Sequence, residues 1–179
     1  ARRMADDCRD AGGRATQEAK AESAALLVDD VFPEQPVRQW VLSVPFPLRF
    51  LFASRPEAMG GVLGIVYRCI ATHLIKKAGF SHSTAQTGAV TLIQRFGSAL
   101  NLNVHFHMLF LDGVYVERRD GSLRFRWVKE PTSAELARLT QTLALRIGRY
   151  LERQGLLERD ADNSYLARDD LEAGPMEQL

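Results

Sequence analysis

Two of the four histidines, His105 and His107, lie in the run Asn103-Val-His-Phe-His-Met-Leu-Phe-Leu-Asp-Gly113. The run is apolar and β-favouring, and in a strand side chains two apart share a face. Val104, Phe106, Met108 and Phe110 then turn towards a core, and His105 and His107 turn together to the other side. Two neutral imidazoles so placed can converge on one divalent cation. Two half-buried histidines bonded to nearby backbone would have the same spacing, so on spacing alone both readings stand. Leu109 and Leu111 continue the histidine face, which puts a site in the first half of the strand.

A hard cation needs more than two histidines. Gln94 closes the preceding β-rich stretch, Thr87 to Phe96. If that stretch pairs antiparallel with Asn103–Leu111, its end lies beside the start of the histidine strand, and Gln94 becomes the candidate third ligand. It could equally be an ordinary polar strand end. Asp112 is five residues beyond His107, roughly 16 Å along an extended strand, and reads as the first residue of an Asp-Gly turn.

Charge is unevenly spread. The chain of 179 residues has a net charge of +1, yet residues 58–111 hold four basic side chains and no acidic one, and residues 58–155 together carry a net +7. The final stretch, residues 156–179, is acidic. An acid-poor middle suits a polyanion, because a nearby carboxylate would repel phosphate. A buried apolar centre with a few solvated lysines would have the same composition. The candidate phosphate contacts are Arg95, Lys76 and Lys77, with Asn101 and Asn103 beside the histidine strand as candidate positioning groups.

The elements that must position these residues follow from local patterns. Glu18 to Val31 suggests a helix, ended by Pro33 and Pro36. Val37–Val44 reads as a strand and Leu48–Ala53 as a short helix. Ser54, Pro56 and Glu57 predict a capped helix start running to about Lys77, stopped by Gly79. Asp120-Gly121 predicts a hairpin between Val114–Glu117 and Leu123–Val128. Thr132 and Glu135 form a capping box before a helix with Leu136, Leu139, Leu143, Ile147 and Leu151 on one stripe. The expected architecture is α+β, an antiparallel sheet backed by helices. The expected divisions are an N-terminal helical segment (1–36), a core (37–155) and an acidic, loose tail (156–179). No uninterrupted apolar run reaches the roughly 18 residues of a membrane span. The most apolar helix candidate, Met59–Leu74, is broken by three glycines and Arg68. Cys8 and Cys69 form neither a disulfide framework nor a zinc pair, which suits a cytoplasmic setting.

The stretch Thr87-Gly-Ala-Val-Thr-Leu-Ile-Gln-Arg-Phe-Gly-Ser-Ala-Leu-Asn-Leu-Asn-Val-His-Phe-His-Met-Leu-Phe-Leu-Asp-Gly-Val-Tyr115 closely resembles the two-tyrosine, rolling-circle transposases of bacterial insertion sequences. Val37-Arg-Gln-Trp-Val-Leu-Ser-Val-Pro-Phe-Pro-Leu-Arg-Phe50 is similar to an upstream block of the same family. Arg2-Arg-Met4 and Leu26–Val31 are similar to its leading segment. The resemblance implies an HUH endonuclease core of the ferredoxin- or RRM-like kind, with His105-Phe106-His107 as the histidine–hydrophobic–histidine signature. It implies Mg2+ or Mn2+ as cofactor, single-stranded DNA from element ends as partner, a bacterial cytoplasmic setting and no membrane. The implied reaction is attack of a tyrosine on a metal-polarised phosphate, giving a 5′-phosphotyrosine and a free 3′-hydroxyl. The family's zinc module precedes the segment matched here, and its nucleophilic tyrosines follow it. The resemblance therefore implies a fragment without its nucleophile. Tyr67, Tyr115 and Tyr150 read as packing residues, and Tyr165 lies in an acidic segment that would repel phosphate.

Overall fold

The computed structural model describes residues 34–96, 101–159 and 164–166. The chain divides between Gln35 and Pro36 into two units, and the second, Pro36–Leu179, holds every described helix and strand. The helix expected over residues 18–31 and the leading segment lie outside the described residues. So do residues 97–100.

The second unit is α+β and antiparallel, as its sequence predicts. In chain order it comprises β1 (Val37–Ser43), α1 (Phe46–Ser54), α2 (Pro56–Lys77), β2 (Ala85–Gln86), β3 (Ala89–Phe96), β4 (Leu102–Leu111), β5 (Gly113–Glu117), β6 (Leu123–Trp127), α3 (Ser133–Arg153), β7 (Leu157–Arg159) and β8 (Ser164–Leu166). The strands form not one sheet but two three-stranded sheets, β1-β4-β3 and β2-β5-β6, and a small β7-β8 hairpin. The sheets part at Asp112, the single residue between β4 and β5. Its carboxylate receives two bonds from Arg38, at 2.6 and 2.8 Å, and one from Trp127 Nε1 at 3.1 Å. Its backbone N–H donates to the Pro36 carbonyl, and its carbonyl accepts from Val128. Asp112 thus staples β1, the β4–β5 junction and β6, and its side chain is 12% exposed.

β4 is the central strand of the first sheet, and its alternation decides the core. Val104, Phe106, Met108 and Phe110 are at most 1% exposed. Phe106 meets Phe52 of α1, and Phe110 stacks on Tyr67 of α2. All helix contacts of these rings fall on this one face. α2 contributes Val62, Val66, Ile70 and Leu74 to the same core. It is long and apolar enough to cross a membrane, but about half of it is buried against the rest of the unit.

Helix ends follow the sequence in part. Thr132 Oγ1 accepts from Glu135 N–H while Glu135 Oε2 accepts from Thr132 N–H, completing the capping box of α3. Gly79 and Gly155 lie just beyond α2 and α3 with φ of 84° and 68°, in the left-handed region that glycine enters freely. Ser54, however, does not cap α2. Its hydroxyl donates back to the Phe50 and Leu51 carbonyls of α1, and Arg55 occupies the N-cap position without a side-chain cap bond. The two helices abut so closely that Ser54 is still the last residue of the first.

The helices α2 and α3 run antiparallel, because Lys77 meets Glu135 at one end and Gly61 meets Tyr150 at the other. The Tyr150 ring occupies the space a Cβ at Gly61 would fill. The segment expected to be a loose tail opens with paired strands, with Leu157 opposite Leu166.

Candidate functional site

The site is built on the face of the first sheet that carries no helix among the described residues. Antiparallel partners share a face, so the register places Ser43, His105 and Gln94 in one row and Val41, His107 and Leu92 in the next. Val41 is 57% and Leu92 46% exposed, so this is an open sheet surface and not a cleft. Between these rows the His105 and His107 rings stand with centroids 4.9 Å apart, at 63° to each other.

Each ring is held through Nδ1. His105 Nδ1–H donates to the Asn103 carbonyl at 2.7 Å, which fixes the tautomer with a lone pair on Nε2. His107 Nδ1 lies 2.7 Å from the Gln39 side-chain amide. Gln39 Nε2–H can donate to an Nδ1 lone pair. With its amide turned over, Gln39 Oε1 instead accepts from Nδ1–H, which leaves His107 Nε2 free to ligate. Gln94 Nε2 donates to the Phe96 carbonyl at 3.1 Å, leaving its Oε1 as a possible ligand atom beside His105.

These donors suit a divalent cation of intermediate softness. The set is two imidazole nitrogens and an amide oxygen, all neutral. Among the described residues no group of three or more His, Cys, Asp or Glu could hold a metal ion. A dication bound here would keep its full charge for an anionic ligand. Imidazole nitrogen favours manganese over magnesium, which prefers an all-oxygen shell.

The other candidate residues divide between the two faces. Asn103 lies on β4 and holds His105 by its carbonyl, and exposed Asn101 precedes that strand. Arg95 is exposed near the end of β3, where the register with β4 shifts. Lys76 and Lys77 are on α2, in the helical layer across the sheet. Lys77 is committed: its ammonium lies 2.6 Å from Glu135 Oε2 and donates to the Glu130 carbonyl. Lys77 and the Thr132 N–H hold the Glu135 carboxyl down to about 2. Asp112 lies on no metal path, since Arg38 and Trp127 take its carboxylate.

None of the three tyrosines with a described side chain approaches the histidines. Tyr67 stacks on Phe110 on the helical side and donates its hydroxyl to the Thr87 carbonyl at 3.0 Å. Tyr115 packs edge-on against Phe125 in the second sheet, and Tyr150 lies against Gly61. Tyr165 sits in β8, opposite Glu158. Sequence reasoning missed Gln39. Its type gives no signal, and only the β1–β4 register brings a residue 68 positions away onto His107.

Residues 88–174 match the family model described as "Putative transposase". That span begins just before β3 and includes both histidines, Gln94 and the whole of α3. No curated protein matches the chain.

Proposed function

We propose, from the transposase-family match over residues 88–174, that this chain carries the metal half of a DNA-nicking site of the rolling-circle, two-tyrosine kind. The observation that carries the reading is the pair of imidazoles 4.9 Å apart on an open sheet face, in register with Gln94. His105 and His107 would hold the cation through Nε2, with Gln94 Oε1 as third ligand. The bound cation would polarise a scissile phosphate and stabilise the charge growing on its oxygens. The chain's own residues supply orientation. Asn103 and Gln39 fix the ring planes, and the neutral ligand set leaves the site cationic towards a phosphodiester. An open face admits an extended single strand, whose flexible backbone can bring one phosphate onto the cation. Arg95 and Asn101, near the same strand ends, are suited to the flanking phosphates.

The test is calorimetric titration of the full chain with manganese, with and without a single-stranded oligonucleotide. His105→Ala with His107→Ala should abolish binding, and the oligonucleotide should tighten it in the wild type. Equal manganese affinity in wild type and double variant would overturn the reading.

A second reading, binding of DNA without cutting it, is favoured by the tyrosines. Tyr67, Tyr115 and Tyr150 are packed away from the histidine face. In this reading the chain presents metal and strand to a nucleophile that it does not itself place.

A further inference from the structure

The antiparallel pairing of α2 and α3 creates a feature on the helical side of the unit. Arg138, Arg146, Arg149 and Arg153 recur along α3 at intervals of eight, three and four residues. Such spacing returns to one face of a helix. α2 faces this stripe with Arg68 and Lys76. Arg68, Arg146, Arg149 and Arg153 line one cleft of about 250 Å³. Arg146 also lines a second, of about 550 Å³, together with Lys76 and Arg138. The two form a continuous groove. From Arg138 to Arg153 it spans about 22 Å at the helical rise.

Among the described residues the groove is almost without acid: the one carboxylate lining either cleft, Glu135, is already paired with Lys77. Arg68, Arg149 and Arg153 are exposed and have no ion-pair partner among the described residues. Arg146 makes only a long contact to Cys69 Sγ, 3.5 Å. Like charges one helical turn apart destabilise a helix, and along α3 Arg149 stands within a Debye length of about 10 Å of both Arg146 and Arg153. Such a stripe costs folding stability unless an anion neutralises it.

We infer that this groove binds the phosphodiester backbone of duplex DNA, at a site separate from the histidine face. The identification rests on the DNA reading above. The histidines point away from the helices, so one phosphate cannot touch both surfaces. Strand-tracking sites for single-stranded DNA interleave cations with stacking aromatic rings. Among the described residues neither cleft is lined by Phe, Tyr or Trp. A straight rail of about 22 Å runs along about six base pairs of a stiff duplex. The duplex adjoining a melted, nicked strand would thus lie behind the sheet while the single strand crosses its front.

The experiment is fluorescence anisotropy of the full chain in chelator, with a duplex three turns long and its single strand, over about 50–200 mM salt. The variant Arg68→Ala/Arg149→Ala/Arg153→Ala should lose duplex affinity by about tenfold or more, and its salt slope should flatten by about 2.7. Single Arg149→Ala should flatten it by about 0.9, and circular dichroism will show both variants folded. The corresponding triple Lys variant should keep the slope, and His105→Ala/His107→Ala should bind duplex as wild type. A triple Ala variant with wild-type duplex affinity and slope would overturn the groove while leaving the histidine site standing. So would a loss confined to the single strand. Failure of the wild type to bind either DNA would overturn the groove and the DNA reading together, whatever manganese does.

Discussion

Asp112 offers a direct measure of what joins the two sheets. Replacing it with Ala removes three side-chain hydrogen bonds, two of them charge-assisted from Arg38. The guanidinium is left facing the space the carboxylate filled. Breaking a buried ion pair costs about 3–5 kcal/mol. Arg38 is 25% exposed, so water recovers part of its hydrogen bonding and the lower end applies. The expected loss is about 3 kcal/mol, or a fall in Tm of roughly 10 °C for a unit of this size. Asp112→Asn keeps the shape and one acceptor and should lose about half as much. Urea unfolding followed by circular dichroism and tryptophan fluorescence reads the loss, with Trp127 reporting on the staple itself. Manganese affinity should not change in either variant. A destabilisation of Asp112→Ala below about 1 kcal/mol would refute the staple. Lost manganese binding with intact stability would make Asp112 a ligand, against the geometry.

Other expectations follow from particular contacts. Glu135 has its carboxyl held to about 2, first by Lys77 and then by the Thr132 N–H, against an ordinary value of 4.5. Its folded-state pKa is depressed, so its contribution is present above about pH 4.5 and is lost as pH falls through about 2. The Tm of the wild type should drop across that window by a component missing from Glu135→Gln, and parallel melting curves would disprove the pairing. Gln39→Ala should weaken manganese binding about tenfold by freeing the His107 ring, and an unchanged Kd by calorimetry would remove Gln39 from the site. Incubation of the chain with manganese and single-stranded DNA should give no covalent adduct on a denaturing gel. An adduct lost with Tyr67→Phe, Tyr115→Phe, Tyr150→Phe or Tyr165→Phe would show that one of these tyrosines reaches the phosphate.

Much of the site's scaffold is legible in the sequence because it depends on short-range periods. The alternation from Val104 to Phe110 separates core from histidine face without knowledge of any partner. Asp120-Gly121, with Gly121 at φ 78°, and the Thr132–Glu135 box need only local chemistry. Gln94 is placed beside His105 by assuming one antiparallel pairing, and the register agrees. What local reasoning misses depends on distant segments. Ser54 has the type and spacing of a cap, but the preceding helix takes its hydroxyl. One sheet is expected, yet the Asp112 staple bends the chain into two. Gln39 and the arginine groove emerge only when β1 meets β4 and α2 meets α3.

The contact between Gly61 and Tyr150 sets the gauge of that groove. With no side chain at Gly61, the tip of the Tyr150 ring fills the space a Cβ would take, and α2 and α3 pack closely at that end. Arg149 and Arg153 flank Tyr150 in sequence, so their distance from Arg68 is fixed by this one seat. A larger residue at Gly61 would change no arginine in the sequence and still push the two rows of charge apart. The helix pair is thus a caliper: the residue that sets the spacing of its charges carries no charge itself.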